Sequence, residues 1–262
     1  MFTVQSNVTA RIKSLEEEFR AELFNRDSRK IELTAAGEIL MHYCKQIGQL
    51  LDEAKSSIAN TDTIAGTLKI GCIETTMALK APEILRDFES KFPAVDLEFR
   101  SAMRAALIED VLSYELDAAF VSAPVNVKGL KQLPVLEERL VVLSASGGPE
   151  LKDLLADQPV RIVVFAEGCV FRERLEAWLS SQGIVQYKST VLNSIEGIIN
   201  FVEAGIGISI LPEEIISKYY PGRKIRKQEL NKQLGTMNTV LVHRSEGTPS
   251  RALEAFMDSY GS

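Results

Sequence analysis

The residues best suited to hold a small molecule lie where apolar runs give way to polar, hydroxyl-bearing stretches. The run LKIGCI leads into Glu74-Thr75-Thr76, and RIVVF leads past Glu167 into Cys169-Val170-Phe171-Arg172. Each reads as a strand ending at a helix start, where free backbone N–H groups and hydroxyls can receive an anion. Ser101, Ser122, Asn193 and Ser194 fall at comparable strand ends or strand-to-helix junctions. One such junction is ordinarily a capped helix and nothing more. Two, in separate halves of the chain, define a cleft if their strand ends face each other. Arg172 could hold a carboxylate in a bidentate fork. It also stands four residues before Glu176, the spacing of an ordinary surface ion pair. Glu74 would repel an anion, so the charge of the ligand stays open.

Little else in the sequence suits covalent chemistry. It contains no GxSxG, P-loop, HExxH or CxxC motif. Its two histidines, His42 and His243, are far apart, and Gly205-Ile206-Gly207 precedes an apolar strand instead of opening a helix, so it is no dinucleotide fingerprint. Three widely spaced cysteines, Cys44, Cys72 and Cys169, fit a reducing compartment and no structural zinc. Cys72 and Cys169 both fall near the candidate strand ends, where packing residues are commoner than a redox pair. Neither an enzyme nor a metal or other cofactor is expected.

The elements that must position these residues fall into three zones. Val4, Val8, Ile12, Leu15 and Phe19 recur at helical steps, with Gln5, Ser6, Asn7, Thr9, Arg11 and Lys13 near the helix start and largely on its other faces. LFNRDSRKIEL then carries turn residues between two short apolar stretches, the pattern of a two-stranded wing. Thr34 is a candidate N-cap for a helix running to about Asn60. Its stripe of Leu40, Tyr43, Ile47, Leu50 and Ala54 suits pairing with a second helix, although packing on its own domain is the plainer alternative. NTDTIAG reads as a hinge. Beyond it, strands alternate with helices: LKIGCI, a helix over 78–91, VDLEFR, a helix near 105–114, DAAFVS, RIVVF, a helix over 171–182 ended by Gly183, another over 195–203, and IGISIL. Alternation of this kind indicates α/β units, and two sets, before and after roughly Leu140, suggest two lobes.

Composition limits the function classes. The 262 residues allow one large or two to three small cores, and 45% hydrophobic with 25% charged residues is ordinary for a globular protein. A formal net charge of −6 advertises no polyanion partner at whole-chain level. No apolar run approaches the roughly 18 residues of a membrane span, and the start lacks a signal-peptide core, so a cytoplasmic location is expected.

Across QSNVTARIKSLEEEFRAELFNRDSRKIELTAAGEIL the chain resembles the winged helix-turn-helix of the LysR-type transcriptional regulators. The matching features are Leu15-Glu16, Leu23-Phe24, the basic residues Arg26, Arg29 and Lys30, and Leu33-Thr34-Ala35-Ala36-Gly37. A second match is V-x-A-G-x-G-x-x-x-L-P, here Val202, Ala204, Gly205, Gly207, Leu211 and Pro212. The resemblance covers essentially the whole chain, and departs from the family at Arg20, where a glycine is usual, and at Met1, which falls about a helix and a half into the family pattern.

The resemblance implies an α+β multidomain protein: a partial winged helix-turn-helix (1–35), a linker and dimerisation helix with hinge (36–65), and a two-lobed α/β effector domain (66–262) of the periplasmic-binding-protein-like type 2. Its first lobe would comprise 66–140 and 241–262, and its second 141–240. It implies that Gln5, Ser6, Asn7, Thr9, Arg11 and Lys13 meet a major groove, with Arg26, Arg29 and Lys30 on phosphate or minor groove. Partners would be promoter DNA, a small-molecule effector, and further copies of the chain in a dimer or tetramer. DNA binding is expected to be weakened where the first family helix is missing. The rival readings are a ligand-binding or dimerisation module with little DNA binding of its own, and a solute-binding protein, which would need a signal peptide and no LTAAG helix.

Overall fold

A computed structural model of the chain describes residues 5–25, 31–58 and 63–260. The chain forms two compact units, Met1–Asn60 and Thr61–Ser262.

In the first unit, α1 spans Gln5–Phe19. It stops because Arg20 takes a positive φ of 51°. The Arg20 N–H then reaches the Glu17 carbonyl at 3.4 Å and the Ala21 N–H the Glu16 carbonyl at 3.1 Å. This pair of bonds is the Schellman pattern, whose left-handed position normally holds glycine. The buried Glu16 carboxylate accepts the Leu23 N–H at 2.9 Å and so ties the exit of α1 to the next segment. There the short strands β1 (Phe24–Asn25) and β2 (Glu32–Leu33) pair antiparallel, as the wing pattern predicts. Helix α2 spans Ala35–Ile58. Thr34 caps it, its Oγ1 accepting the Gly37 N–H at 3.1 Å, while the Thr34 N–H donates to the Leu23 carbonyl at 3.0 Å. A Cβ at Gly37 would stand 2.1 Å from the Leu23 carbonyl oxygen, so the LTAAG glycine is what lets α2 begin against this segment. Val4, Arg26, Arg29 and Lys30 lie outside the described residues, as do the side chains of Gln5 and Ser6.

The second unit is built on a sheet of seven strands. Strand β3 (Gly66–Cys72) pairs in parallel with β4 (Val95–Ser101) and β5 (Ala118–Ser122). The 16-residue strand β6 (Leu130–Ala145) belongs to both lobes. Up to Arg139 it pairs with a later strand, β11 (Thr236–Arg244), which also flanks β5. From Leu140 it pairs with β9 (Ser209–Pro212) and, from Val141, with β10 (Ile225–Glu229). The second lobe adds the parallel pair β7 (Val160–Val164) and β8 (Tyr187–Val191), joined to β9 by the Ile162–Ile208 bridge. The register of β11 on β6 slips at Thr239/Val240.

Helices cover these strands: α3 (Glu74–Leu79), α4 (Ala81–Lys91), α5 (Arg104–Leu112), α6 (Leu151–Ala156), α7 (Val170–Ser181), α8 (Ile195–Glu203), α9 (Glu213–Tyr219), α10 (Lys232–Gly235) and α11 (Arg251–Asp258). Side-chain alternation along β5 sends Ala118 and Phe120 into one core layer and Ala119 and Val121 into another, on opposite faces of the sheet. The second lobe has its own core, with Val160, Ile162, Val163 and Val164 of β7 packed against Leu175, Leu179, Ile198 and Ile199. One expected helix differs. The single helix over 78–91 is two, α3 and α4, broken at Lys80 with Pro82 in the first turn of α4. Proline lacks an N–H and its ring clashes with the preceding turn, so it opens a helix more readily than it continues one.

Candidate functional site

A cavity of about 300 Å³ lies between the two lobes. Lobe 1 supplies Ile73, Glu74, Ser101, Ala102, Met103, Arg104 and Ser122 to its wall, and lobe 2 supplies Phe165, Ala166, Gly168, Cys169, Val170, Phe171 and Asn193. The strand ends of β3, β4, β5 and β7 and the starts of α3, α5 and α7 therefore meet at one place. This is where open α/β sheets hold ligands.

Of the residues singled out by sequence, Glu74, Ser101, Ser122, Cys169, Val170 and Asn193 line this cavity. The Ser101 hydroxyl donates to Glu74 Oε2 at 3.2 Å. Thr75, Thr76, Arg172 and Ser194 are not among its lining residues. Thr75 and Thr76 are buried, their hydroxyls lacking a partner, and Thr76 faces a second cavity beside Phe120 and Thr239. Arg172 takes the ordinary pairing, with its Nε on Glu176 at 2.9 Å and a terminal nitrogen on Glu167 at 3.5 Å. Ser194 caps α8, its Oγ accepting the Gly197 N–H at 3.1 Å.

Sequence reasoning passed over Arg104. Its Nε donates to the Ser122 carbonyl at 3.0 Å and a terminal nitrogen to the Pro124 carbonyl at 2.6 Å, which fixes the guanidinium in the cavity wall. The signal was present, since Arg104 opens the helix after VDLEFRS just as Glu74 opens the one after LKIGCI. The apolar walls of Ile73, Phe165 and Phe171 carried no comparable mark, because Phe and Ile in strands look like any other core.

The two thiols near the site are poorly suited to reaction. Burial, then the Glu74 carboxylate, pushes the Cys72 thiol up to about 12, and its Sγ lies 3.8 Å from Met77 Sδ. Burial also raises the Cys169 thiol, although the N–H groups of Phe171 and Arg172 pull the other way. Both therefore hold their protons at neutral pH, and a protonated thiol is a weak nucleophile. Among the described residues there is no cluster of His, Cys, Asp and Glu able to hold a metal ion, and no helix long and apolar enough to cross a membrane.

The other two expected surfaces lie in the first unit. Asn7, Thr9, Arg11 and Lys13 are all exposed along α1. On α2, Tyr43, Ile47, Leu50 and Ala54 are exposed and Leu40 half-buried, so the stripe stands open in a single chain.

Residues 1–38 match the family model described as "Bacterial regulatory helix-turn-helix protein, lysR family", and residues 61–261 match "LysR substrate binding domain". The chain belongs to the LysR family. It is 38% identical over 257 residues to the HTH-type transcriptional regulator YusT of Bacillus subtilis, covering 98% of this chain and 86% of that one. It is 35% identical to the regulator SoxR of an Arthrobacter species, over 98% of this chain and 87% of that one. The regulator GltR of Bacillus subtilis is 34% identical, over 97% of this chain and 86% of its own length. Full-length OxyR from Pseudomonas aeruginosa superposes with a TM-score of 0.75 at 21% identity, over 99% of this chain and 89% of that one. Full-length CbnR, solved with its target DNA, gives 0.69 at 20%, over 98% and 90%. This LysR-family chain is thus a DNA-binding transcriptional regulator and not an enzyme, with the helix-turn-helix and two-lobed α/β regulatory domain that its sequence leads one to expect.

Proposed function

We propose that a small-molecule effector bound between the two lobes controls how this regulator engages promoter DNA. The observation that carries the reading is the cavity itself, walled by strand ends and helix starts from both lobes. A ligand touching both walls has different contacts in open and closed arrangements, and only such a difference can shift an equilibrium, typically by about 1–3 kcal/mol of coupling. Glu74, Ser101, Ser122, Cys169, Val170 and Asn193 would touch the effector, while Arg172 and Ser194 would hold the surrounding turns through their own local bonds and Thr75 and Thr76 would lie buried behind the wall. Gln5, Ser6, Asn7, Thr9, Arg11 and Lys13 would face the major groove, with Arg26, Arg29 and Lys30 on phosphate or minor groove. The open stripe of α2 would join copies into a dimer, or a tetramer built from dimers, in the cytoplasm. Val8, Leu15 and Phe19 are exposed on α1.

The test is a metabolite screen by thermal shift on the full chain, repeated with Ser122→Ala and Asn193→Ala. A true effector should lose about 0.5–1.5 kcal/mol of affinity with each lost neutral hydrogen bond. Hits whose affinity ignores both changes would place the effector elsewhere.

A further inference from the structure

We infer that the ligand class taken by this cavity is a small zwitterion, an amino acid or amino acid-like molecule with a compact apolar side chain. The inference rests on reading the cavity as the effector site, and it answers the question of ligand charge that Glu74 raises.

The cavity wall holds one carboxylate, Glu74, and one guanidinium, Arg104. The two do not pair with each other. Glu74 is met by the neutral Ser101 hydroxyl at 3.2 Å. Arg104 spends its Nε and one terminal nitrogen on main-chain carbonyls, at 3.0 and 2.6 Å, and neither carries a compensating charge. Glu74 is exposed and Arg104 half-buried, so water screens both in the open cavity, and their pull on a partner grows once a ligand displaces that water. Here the protein anchors each separately and leaves both charges for something else to balance.

A simple anion would suit Arg104 and the N-terminus of the 12-residue helix α7 but would meet Glu74. A simple cation would suit Glu74 but would meet Arg104 and that same helix end. A molecule with an ammonium and a carboxylate satisfies both at once. The Ser122 hydroxyl adds an independent pointer. Ser122 is 3% exposed and lines the cavity, and its hydroxyl has no hydrogen-bond partner among the described residues. A hydroxyl open to the cavity and without a protein partner is free to donate to, or accept from, a bound molecule. The rest of the wall is apolar, with Ile73, Phe165, Val170 and Phe171. At about 300 Å³ the cavity suits a small side chain beside the two charged groups.

The experiment is calorimetric titration of the full chain with the proteinogenic amino acids, each beside its deaminated acid and decarboxylated amine. For valine these are 3-methylbutanoate and isobutylamine. At least one amino acid should bind, and both of its singly charged analogues should bind about tenfold or more weakly. Glu74→Gln should weaken that amino acid by about 10- to 100-fold while leaving the deaminated acid bound as well as before, or better. A merely misfolded variant would lose both alike. Equal binding of a singly charged analogue, indifference to Glu74→Gln, or no binding by any probe would each overturn the zwitterion. If a singly charged ligand binds and Ser122→Ala and Asn193→Ala weaken it, only the charge class falls. If a ligand binds and ignores every lining substitution, the cavity loses its role as effector site as well.

Discussion

The two units of this regulator solve the hydrophobic problem in opposite ways. The second unit covers most of its own apolar residues, leaving scattered ones such as Val185 and Val191 exposed: both faces of the β3–β4–β5 sheet are packed, and Val160–Phe165, apart from the exposed Arg161, is buried throughout. In the first unit only Glu16, Leu23 and Gly37 are buried among the described residues. Phe19 is 53% exposed, Ile47 56% and Leu50 59%. Exposed apolar surface on this scale marks a binding face. The comparison teaches that the sensor unit is a finished domain, whereas the DNA-binding unit is held by a few tight local bonds and waits for partners to cover the rest.

The sharpest way to separate them is a pair of glycines. A Cβ at Gly37 would stand 2.1 Å from the Leu23 carbonyl oxygen, and one at Gly207 would stand 2.6 Å from that of Arg161. Backbone cannot move aside as a side-chain tip can, so each Gly→Ala change should cost about 2–4 kcal/mol. Hydrogen exchange should show protection lost around α2 and β2 for Gly37→Ala, and around β7 and β9 for Gly207→Ala. Loss spreading through the whole chain in both cases would mean the units are not independent.

A smaller effect compares their helix caps. Thr34→Ala and Ser194→Ala each remove one side-chain cap, on α2 and α8 respectively. Each should cost about 1 kcal/mol by thermal unfolding. The consequence should be greater in the first unit, where Thr34 is one of few ties and no core shares the load. Equal consequences for DNA and ligand binding would weaken the contrast.

The smallest effect has the opposite sign. Arg20 sits at φ 51°, where glycine is unstrained. Arg20→Gly should therefore stabilise the end of α1 by roughly 0.5–1 kcal/mol, offset in part by the freer unfolded chain. Unfolding of the first unit at a higher denaturant midpoint would bear this out, and a lower midpoint would mean that the Arg20 side chain contributes contacts of its own.

Local signals in the sequence were legible and non-local ones were not. The Thr34 cap, the bounds of α8 at Ile195–Glu203, and strands β3, β4, β5, β7 and β9 all carry short-range periodicity or capping chemistry. Strand β6 did not stand out, because Pro134 and the charged stretch Glu137-Glu138-Arg139 interrupt its apolar pattern before it enters the second lobe. The site divides the same way. Strand-end position was enough to put Glu74, Ser101, Ser122 and Asn193 on the cavity wall. It could not tell that Thr75 points into the protein, nor that Arg172 has Glu176 as its partner. Those outcomes depend on which face of a short helix turns toward the sheet, and tertiary packing decides that.

The most direct test of the contrast is sedimentation velocity on the wild-type chain and on the double variant Ile47→Glu, Leu50→Glu. Both side chains are exposed on α2 and contribute nothing to the core of the single chain. Burying such side chains against a second copy is worth very roughly 1.5–3 kcal/mol each, and charge placed there reverses the sign. The wild type should sediment as a dimer or larger, and the variant as a folded monomer that still binds its effector. A variant that remains dimeric would contradict the account, because the open stripe of the first unit would then not be the surface that joins the chains.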